Sequence, residues 1–200
     1  TVKGPIFANF VLADEINRAP PKVQSALLEG MQERQVTIGK ETFRLPFPFF
    51  VMATENPVEQ LGTYKLPEAQ LDRFLFKLTM NYPSFDEELV ILQQNITTKD
   101  FQDYTLSSVL TPDEIVKAQQ LVKHIRLDNK IERYLVRIVE ATRVPDKYHI
   151  DMGKYVQFGA SPRSSIALFI ASKASALMRG STVVTPQDVK SVAYNVLRHR

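Results

Sequence analysis

The sequence contains no cysteine, which excludes disulfides, thiolate nucleophiles and cysteine-ligated zinc. Long apolar runs are also missing. The longest, Ile166 to Ala171, falls far short of the roughly 20 residues a membrane helix needs. Its seven glycines include none in a phosphate-cradling loop. The three histidines, His124, His149 and His199, stand far apart with no metal-ligand spacing. Neither sign of charge dominates: the formal net charge is +3 over 200 residues, which does not by itself point to nucleic acid. No signal-peptide pattern opens the chain.

What is present is the composition of a globular protein, 44% hydrophobic and 24% charged, long enough to bury a core as one large or two small domains. Residue 1 is Thr, and apolar sequence starts already at Ile6. The expectation is a chain cut from something longer.

The first half alternates strand and helix signals. Ile6 to Ala13 is a mostly apolar run, expected to be a strand buried on both faces of a parallel sheet. Pro20-Pro21 opens a helix whose apolar face is Val23, Leu27, Leu28 and Met31. Gln35 to Arg44 reads as a β-hairpin turning near Gly39. Phe49 to Ala53 reads as a second buried strand, Leu66 to Phe74 as a short helix, and Leu75 to Met80 as a third strand. Ser84 caps a helix running to about Asn95, and polar Thr97 to Ser108 reads as a linker. The rest is helical. Helices start at Thr111-Pro112, Asp128, Ser161-Pro162 and Thr185-Pro186, with stops at Pro145 and Gly180. The expected organisation is an α/β portion over residues 1–83 and an all-helical portion over 84–200.

Ligands of open parallel sheets bind beyond the carboxyl ends of the strands. Phe10 to Ala13 followed by Asp14-Glu15 is the Walker B pattern of nucleotide hydrolases. An aspartate there can hold Mg²⁺ through water, and the following glutamate can take a proton from an attacking water. The same pattern also suits an acidic strand exit facing a helix N-terminus. Asn56 ends the second strand, where an amide can orient a water, although Asn-Pro is also a turn starter. Arg73, just before the third expected strand, can serve as an arginine finger or pair with Asp72 or Glu68. Arg163 lies in the first turn of a helix, where the dipole disfavours a cation; a nearby anion would resolve the conflict, and a plain surface arginine is the alternative. Arg198-His199-Arg200 reads as a solvated helix end.

The order of these signals carries more than any one of them. Asp14 through Glu33, DEINRAPPKVQSALLEGMQE, resembles the Walker B strand and following helix of MoxR-type AAA+ ATPases. Ala53-Thr54-Glu55-Asn56-Pro57 resembles their sensor 1, Leu66 to Phe74 (LPEAQLDRF) their arginine-finger box, and Gly159-Ala160-Ser161-Pro162-Arg163 their sensor 2.

The resemblance implies a P-loop NTPase (AAA+) fold: an α/β core whose parallel sheet is N-terminally incomplete here, followed by an all-α lid. It implies ATP and Mg²⁺ as cofactors, with Asp14 the metal ligand and Glu15 the general base. Asn56 would position water, Arg73 would reach a neighbouring subunit's ATP, and Arg163 would contact the γ-phosphate. It further implies a homo-oligomeric ring, expected to be a hexamer, a von Willebrand factor A-domain partner and a client protein complex; the absent targeting signals and the need for ATP make the expected setting cytoplasmic. The Gly-x-x-x-x-Gly-Lys-[Ser/Thr] loop of such enzymes is absent from the 200 residues, so the isolated chain is expected to bind ATP weakly or not at all. Two further readings stand beside this one. A non-catalytic interaction module built on the same scaffold would suit the missing loop. A nucleic-acid motor would use Lys40 and Arg44 on the hairpin, a sparse basic footprint.

Overall fold

The computed structural model describes residues 4–56, 62–95 and 107–200. Their contacts form two compact units, Thr1–Lys77 together with Pro112–Arg200, and Leu78–Thr111. The linker expected over Thr97 to Ser108 lies mostly outside the described residues.

In the larger unit, strand β1 (Phe10–Ala13) pairs in parallel with β4 (Phe50–Ala53), in the register Ala13 opposite Ala53. Helix α1 (Pro21–Glu33) follows β1, and β2 (Gln35–Ile38) and β3 (Glu41–Arg44) form the expected hairpin, with Gly39 at φ 67° in its turn. Only glycine enters that region without strain. Strand β1 is shorter than the apolar run: Pro5–Phe7 is a 3-10 turn, and β4, its partner, starts only after Pro48. A strand extends no further than the neighbour it hydrogen-bonds.

The pleat then decides burial. Val11, Ala13, Val51 and Ala53 face inward, the last three onto a core of Ile16, Leu27, Leu28 and Leu66. Phe10, Leu12, Phe50 and Met52 are each more than half exposed on the other face. The expectation of strands buried on both faces therefore fails, because no described residue covers that second face. Leu75 to Met80 is not a strand either. No described strand lies beside it, and its start is engaged by the helical part instead, with Lys77 N–H donating to the Asn195 carbonyl at 2.8 Å. The helix expected over Leu66 to Phe74 reduces to one turn, α2 (Glu68–Leu71), flanked by Leu66, Leu71 and Phe74 packed on the core.

The helical part of this unit comprises α4 (Pro112–His124), α5 (Asn129–Arg143), α6 (Pro162–Met178) and α7 (Pro186–Leu197). Each begins where a cap was expected. The Asp128 carboxylate accepts the Lys130 N–H, the Ser161 hydroxyl accepts that of Arg163, and Thr185 with Asp188 forms a reciprocal capping box. Leu135, Val139, Leu168, Ala171, Val189 and Val196 fill its core. The residues after α7 fold back onto the α/β part. His199 is half-buried and the Arg200 side chain is only 3% exposed, so the solvated end expected for Arg198-His199-Arg200 is not what forms.

The smaller unit carries α3 (Phe85–Asn95), with Ser84 and Glu87 closing a cap at its start. Among the described residues, no helix is long and apolar enough to cross a membrane.

Candidate functional site

Parallel pairing of β1 and β4 brings their carboxyl ends together. With Ala13 opposite Ala53, the next residues are Asp14 and Thr54. Thr54 joins the two strand exits through four hydrogen bonds. Its N–H donates to the Ala13 carbonyl at 3.1 Å, and its carbonyl accepts the Ile16 N–H at 3.0 Å. Its hydroxyl accepts the Glu15 N–H at 2.9 Å and donates to Asp14 Oδ1 at 2.5 Å.

Glu15 itself sits in the left-handed region at φ 48°, ψ 50°. A non-glycine residue there costs ~1–2 kcal/mol and persists only where neighbours over-determine it. The Thr54 bonds on either side of it do so. The turn also throws the Glu15 side chain back over the 3-10 turn Ile16–Arg18, where Arg18 Nε meets Glu15 Oε2 at 2.9 Å. Beneath it lies Gln24, 2% exposed, whose amide nitrogen is within 3.1 Å of the Ile16 and Ala19 carbonyls and 2.9 Å of the Tyr64 carbonyl. Asn56, half-buried, follows Thr54 by two residues.

A second cluster forms around Asp72. Its carboxylate is 14% exposed and accepts the Ser161 hydroxyl at 2.8 Å. Arg163 Nη1 lies 3.6 Å from Oδ2, and Arg200 Nε lies 3.1 Å from Oδ1. The anion that the first-turn position of Arg163 called for is thus supplied by Asp72. Arg73, beside it, is exposed, and no ion pair among the described residues holds its side chain. The alternative of an Arg73 pair with Asp72 fails because Asp72 is already taken by the two other arginines. Burial lowers the pKa of the His199 imidazole, and its Nε2 faces the Phe74 carbonyl at 3.1 Å.

The structure therefore assembles the five expected residues in two groups: Asp14, Glu15 and Asn56 at the strand exits, and Arg73 and Arg163 around Asp72. Three residues were missed from sequence. Thr54 could have been found by placing the two strand exits in register, since a hydroxyl opposite the first carboxylate is then unavoidable. Gln24 could have been found as a polar residue on the apolar face of α1. Arg200 had no local signal.

Comparison with known proteins bears on the family of the chain. Residues 1–76 match the profile of the ATPase family associated with various cellular activities (AAA), and residues 151–200 match that of the AAA lid domain. The chaperone MoxR1 of Mycobacterium tuberculosis is 48% identical over 202 residues, covering 100% of this chain and 52% of MoxR1. The chain belongs to the MoxR branch of the AAA ATPases. YeaC of Bacillus subtilis, an uncharacterized protein, is 50% identical over 98% of this MoxR-type chain and 58% of its own length. A crystal structure of a candidate ATPase from Cytophaga hutchinsonii superposes with a TM-score of 0.91 at 42% identity, covering all of this chain and 60% of that one. The AAA core and lid folds expected from sequence are thus found. The chain spans a little over half the length of the curated relatives it matches.

Among the described residues no group of three or more His, Cys, Asp or Glu could cage a metal. Mg²⁺ takes one or two carboxylates, keeps several waters and completes its shell with substrate phosphates. Asp14 is exposed, and its Oδ1 is oriented by Thr54.

Proposed function

We propose that this chain forms the hydrolytic strand exits and the lid of a MoxR-type ATPase that uses Mg²⁺-ATP to remodel, mature or activate other protein complexes. The observation that carries the reading is the Thr54 hydroxyl bound at once to the Asp14 carboxylate and the Glu15 N–H. It fixes one carboxylate, and the backbone from which a second one leaves, at the end of a parallel strand pair, where nucleotides bind in this class of sheet.

In this reading residues 1–83 belong to the nucleotide-binding core and 84–200 to the connecting helix and lid. Asp14 would hold the Mg²⁺, which would supply neutralisation of the nucleotide's phosphate charge. Glu15 accepts a proton from the attacking water. Asn56 orients that water with a neutral amide. Arg163 contacts the γ-phosphate from the lid. Arg73, exposed and in no ion pair among the described residues, stabilises the developing charge in a neighbouring subunit's site, which requires a closed homo-oligomeric ring, in the family's pattern a hexamer. A von Willebrand factor A-domain protein and a client complex complete the assembly, in the cytoplasm where ATP is available.

Glu15→Gln in the full-length protein tests the central role. Hydrolysis should fall at least ~100-fold, the usual worth of a positioned base, while ATP binding stays within about twofold. Unchanged turnover overturns the assignment. We further propose that the 200 residues alone bind ATP weakly, because they contain no phosphate-cradling loop. Micromolar affinity for a fluorescent ATP analogue would refute that.

A further inference from the structure

Arg200 grips the backbone on both sides of Arg73. Its Nη2 donates to the Asp72 carbonyl at 3.2 Å and to the Phe74 carbonyl at 2.5 Å. Its Nε lies 3.1 Å from the Asp72 carboxylate, and the side chain is 3% exposed. His199 adds a second contact to the Phe74 carbonyl at 3.1 Å. Consecutive residues just past the end of α7 thus converge on a three-residue turn whose middle member is exposed to solvent.

The chemistry explains why an arginine stands there. Helix α2 is a single turn, so the carbonyls that follow it have no helical donor. Partly buried carbonyls need partners. A planar guanidinium is the side chain that can serve two carbonyls and a carboxylate at once. Burying a cation is unfavourable unless it is paired, and Asp72 supplies the pairing. Ser161 and Arg163 tie the same carboxylate to the start of α6. The base of the Arg73 side chain is therefore held from the lid, by groups far away in sequence.

We propose that Arg200 is a positioning residue for Arg73: by clamping the carbonyls of residues 72 and 74 it fixes the direction in which Arg73 leaves its own subunit. This rests on the reading of Arg73 as a finger acting in a neighbouring subunit's site. A long side chain amplifies any tilt of its base, and displacement of a catalytic group by about 1 Å can cost on the order of 100-fold in rate.

The test uses full-length protein and subunit mixing. Arg200→Met should lower ATP turnover at least tenfold and Arg200→Lys by less, because an ammonium keeps the charge opposite Asp72 but cannot fork to both carbonyls. Co-expression with Glu15→Gln subunits then separates the roles. Those subunits lack the base but carry an intact Arg73 and Arg200, so they should restore turnover in neighbouring Arg200→Met subunits severalfold above either variant alone. Arg73→Ala mixed with Glu15→Gln is the reference and should recover equally. If the reference fails to recover, the trans reading of Arg73 falls and this proposal with it. If the reference recovers but Arg200→Met does not, or if Arg200→Met turns over ATP like wild type, the trans finger stands and the positioning role is overturned. Should Arg200→Met not fold, as a thermal melt would reveal, Arg200→Lys carries the same comparison.

Discussion

The hydroxyl of Thr54 lies 2.5 Å from Asp14 Oδ1, across the parallel pairing of two strands 40 residues apart. The same oxygen accepts the N–H of Glu15, the residue forced to φ 48°. One side chain therefore sets the orientation of one carboxylate and the backbone conformation of the next.

Thr54→Val keeps the shape and removes the hydroxyl. The Glu15 N–H then loses its acceptor and the Asp14 carboxylate its donor, at a cost of about 1–2 kcal/mol for a partly solvated site. A thermal or denaturant melt should show that loss, and turnover of the full-length protein should drop at least tenfold. Thr54→Ser, which restores the oxygen, should recover most of both. Equal activity in the Val and Ser variants would show that the bridge has no catalytic consequence.

Residue 159, just before α6, is glycine because α5 passes too close for a side chain. A Cβ there would meet Arg143 Cγ at 2.5 Å, Arg143 Cα at 2.7 Å and the Thr142 carbonyl at 2.9 Å. Two of those three atoms are backbone and cannot move aside. The segment is further pinned by Ala160 N–H on Thr142 Oγ1 at 2.9 Å and by Arg143 Nε on the Ala160 carbonyl at 2.6 Å. Gly159→Ala should destabilise by about 1–3 kcal/mol, as overpacking does. Adding Arg143→Ala should not rescue it, since the backbone clash remains. Full rescue in a urea titration would place the clash on the side chain alone.

Asp188 predicts a pH dependence. Arg179 donates to both its oxygens, at 3.0 and 2.8 Å, and the Thr185 N–H and hydroxyl each approach Oδ2 at 2.7 Å. The Arg179 guanidinium first, and then Thr185, hold the carboxyl far below the ordinary value of 3.8, against the opposing effect of burial. A depressed folded pKa gives stability that is present above the unfolded value and lost as pH falls through the folded one. Unfolding experiments should therefore show the chain weakening from about pH 5 downwards, the unfolded carboxyl titrating near 4. Asp188→Asn should cost about 2 kcal/mol at pH 7, less than a fully buried pair because Arg179 is half exposed and can resolvate. The gap from wild type should close as the pH drops. A constant gap between pH 7 and pH 3 would contradict the linkage.

The local elements were legible because their causes are local. A small polar cap marks the starts of α5, α6 and α7, with proline directly after it in α6 and α7, and the hairpin turns at a glycine with φ 67°. Strand existence near Phe10 and Phe50 follows from runs of apolar residues ending in polar ones. Strand extent did not follow, because it depends on the partner: Ile6 and Leu75 to Met80 are apolar enough to be strands but have no described neighbour to pair with. Burial of Phe10, Leu12, Phe50 and Met52 failed for the same reason, since exposure of a sheet face is decided by what lies over it.

The chemistry divides along the same line. Residue type and order alone determined that two carboxylates leave one strand, that an amide leaves another, and that Arg73 and Arg163 stand in segments resembling those of one family, which is enough to point to that family. Only the tertiary structure decided which groups hold them. Thr54 reaches Asp14 because parallel pairing aligns the two strand exits. Asp72 receives Ser161, Arg163 and Arg200 because α6 and α7 close over the turn after α2. A carboxylate takes whichever cations the fold brings within about 4 Å, and that distance is set by packing across 90 to 130 residues of chain, which no local pattern encodes.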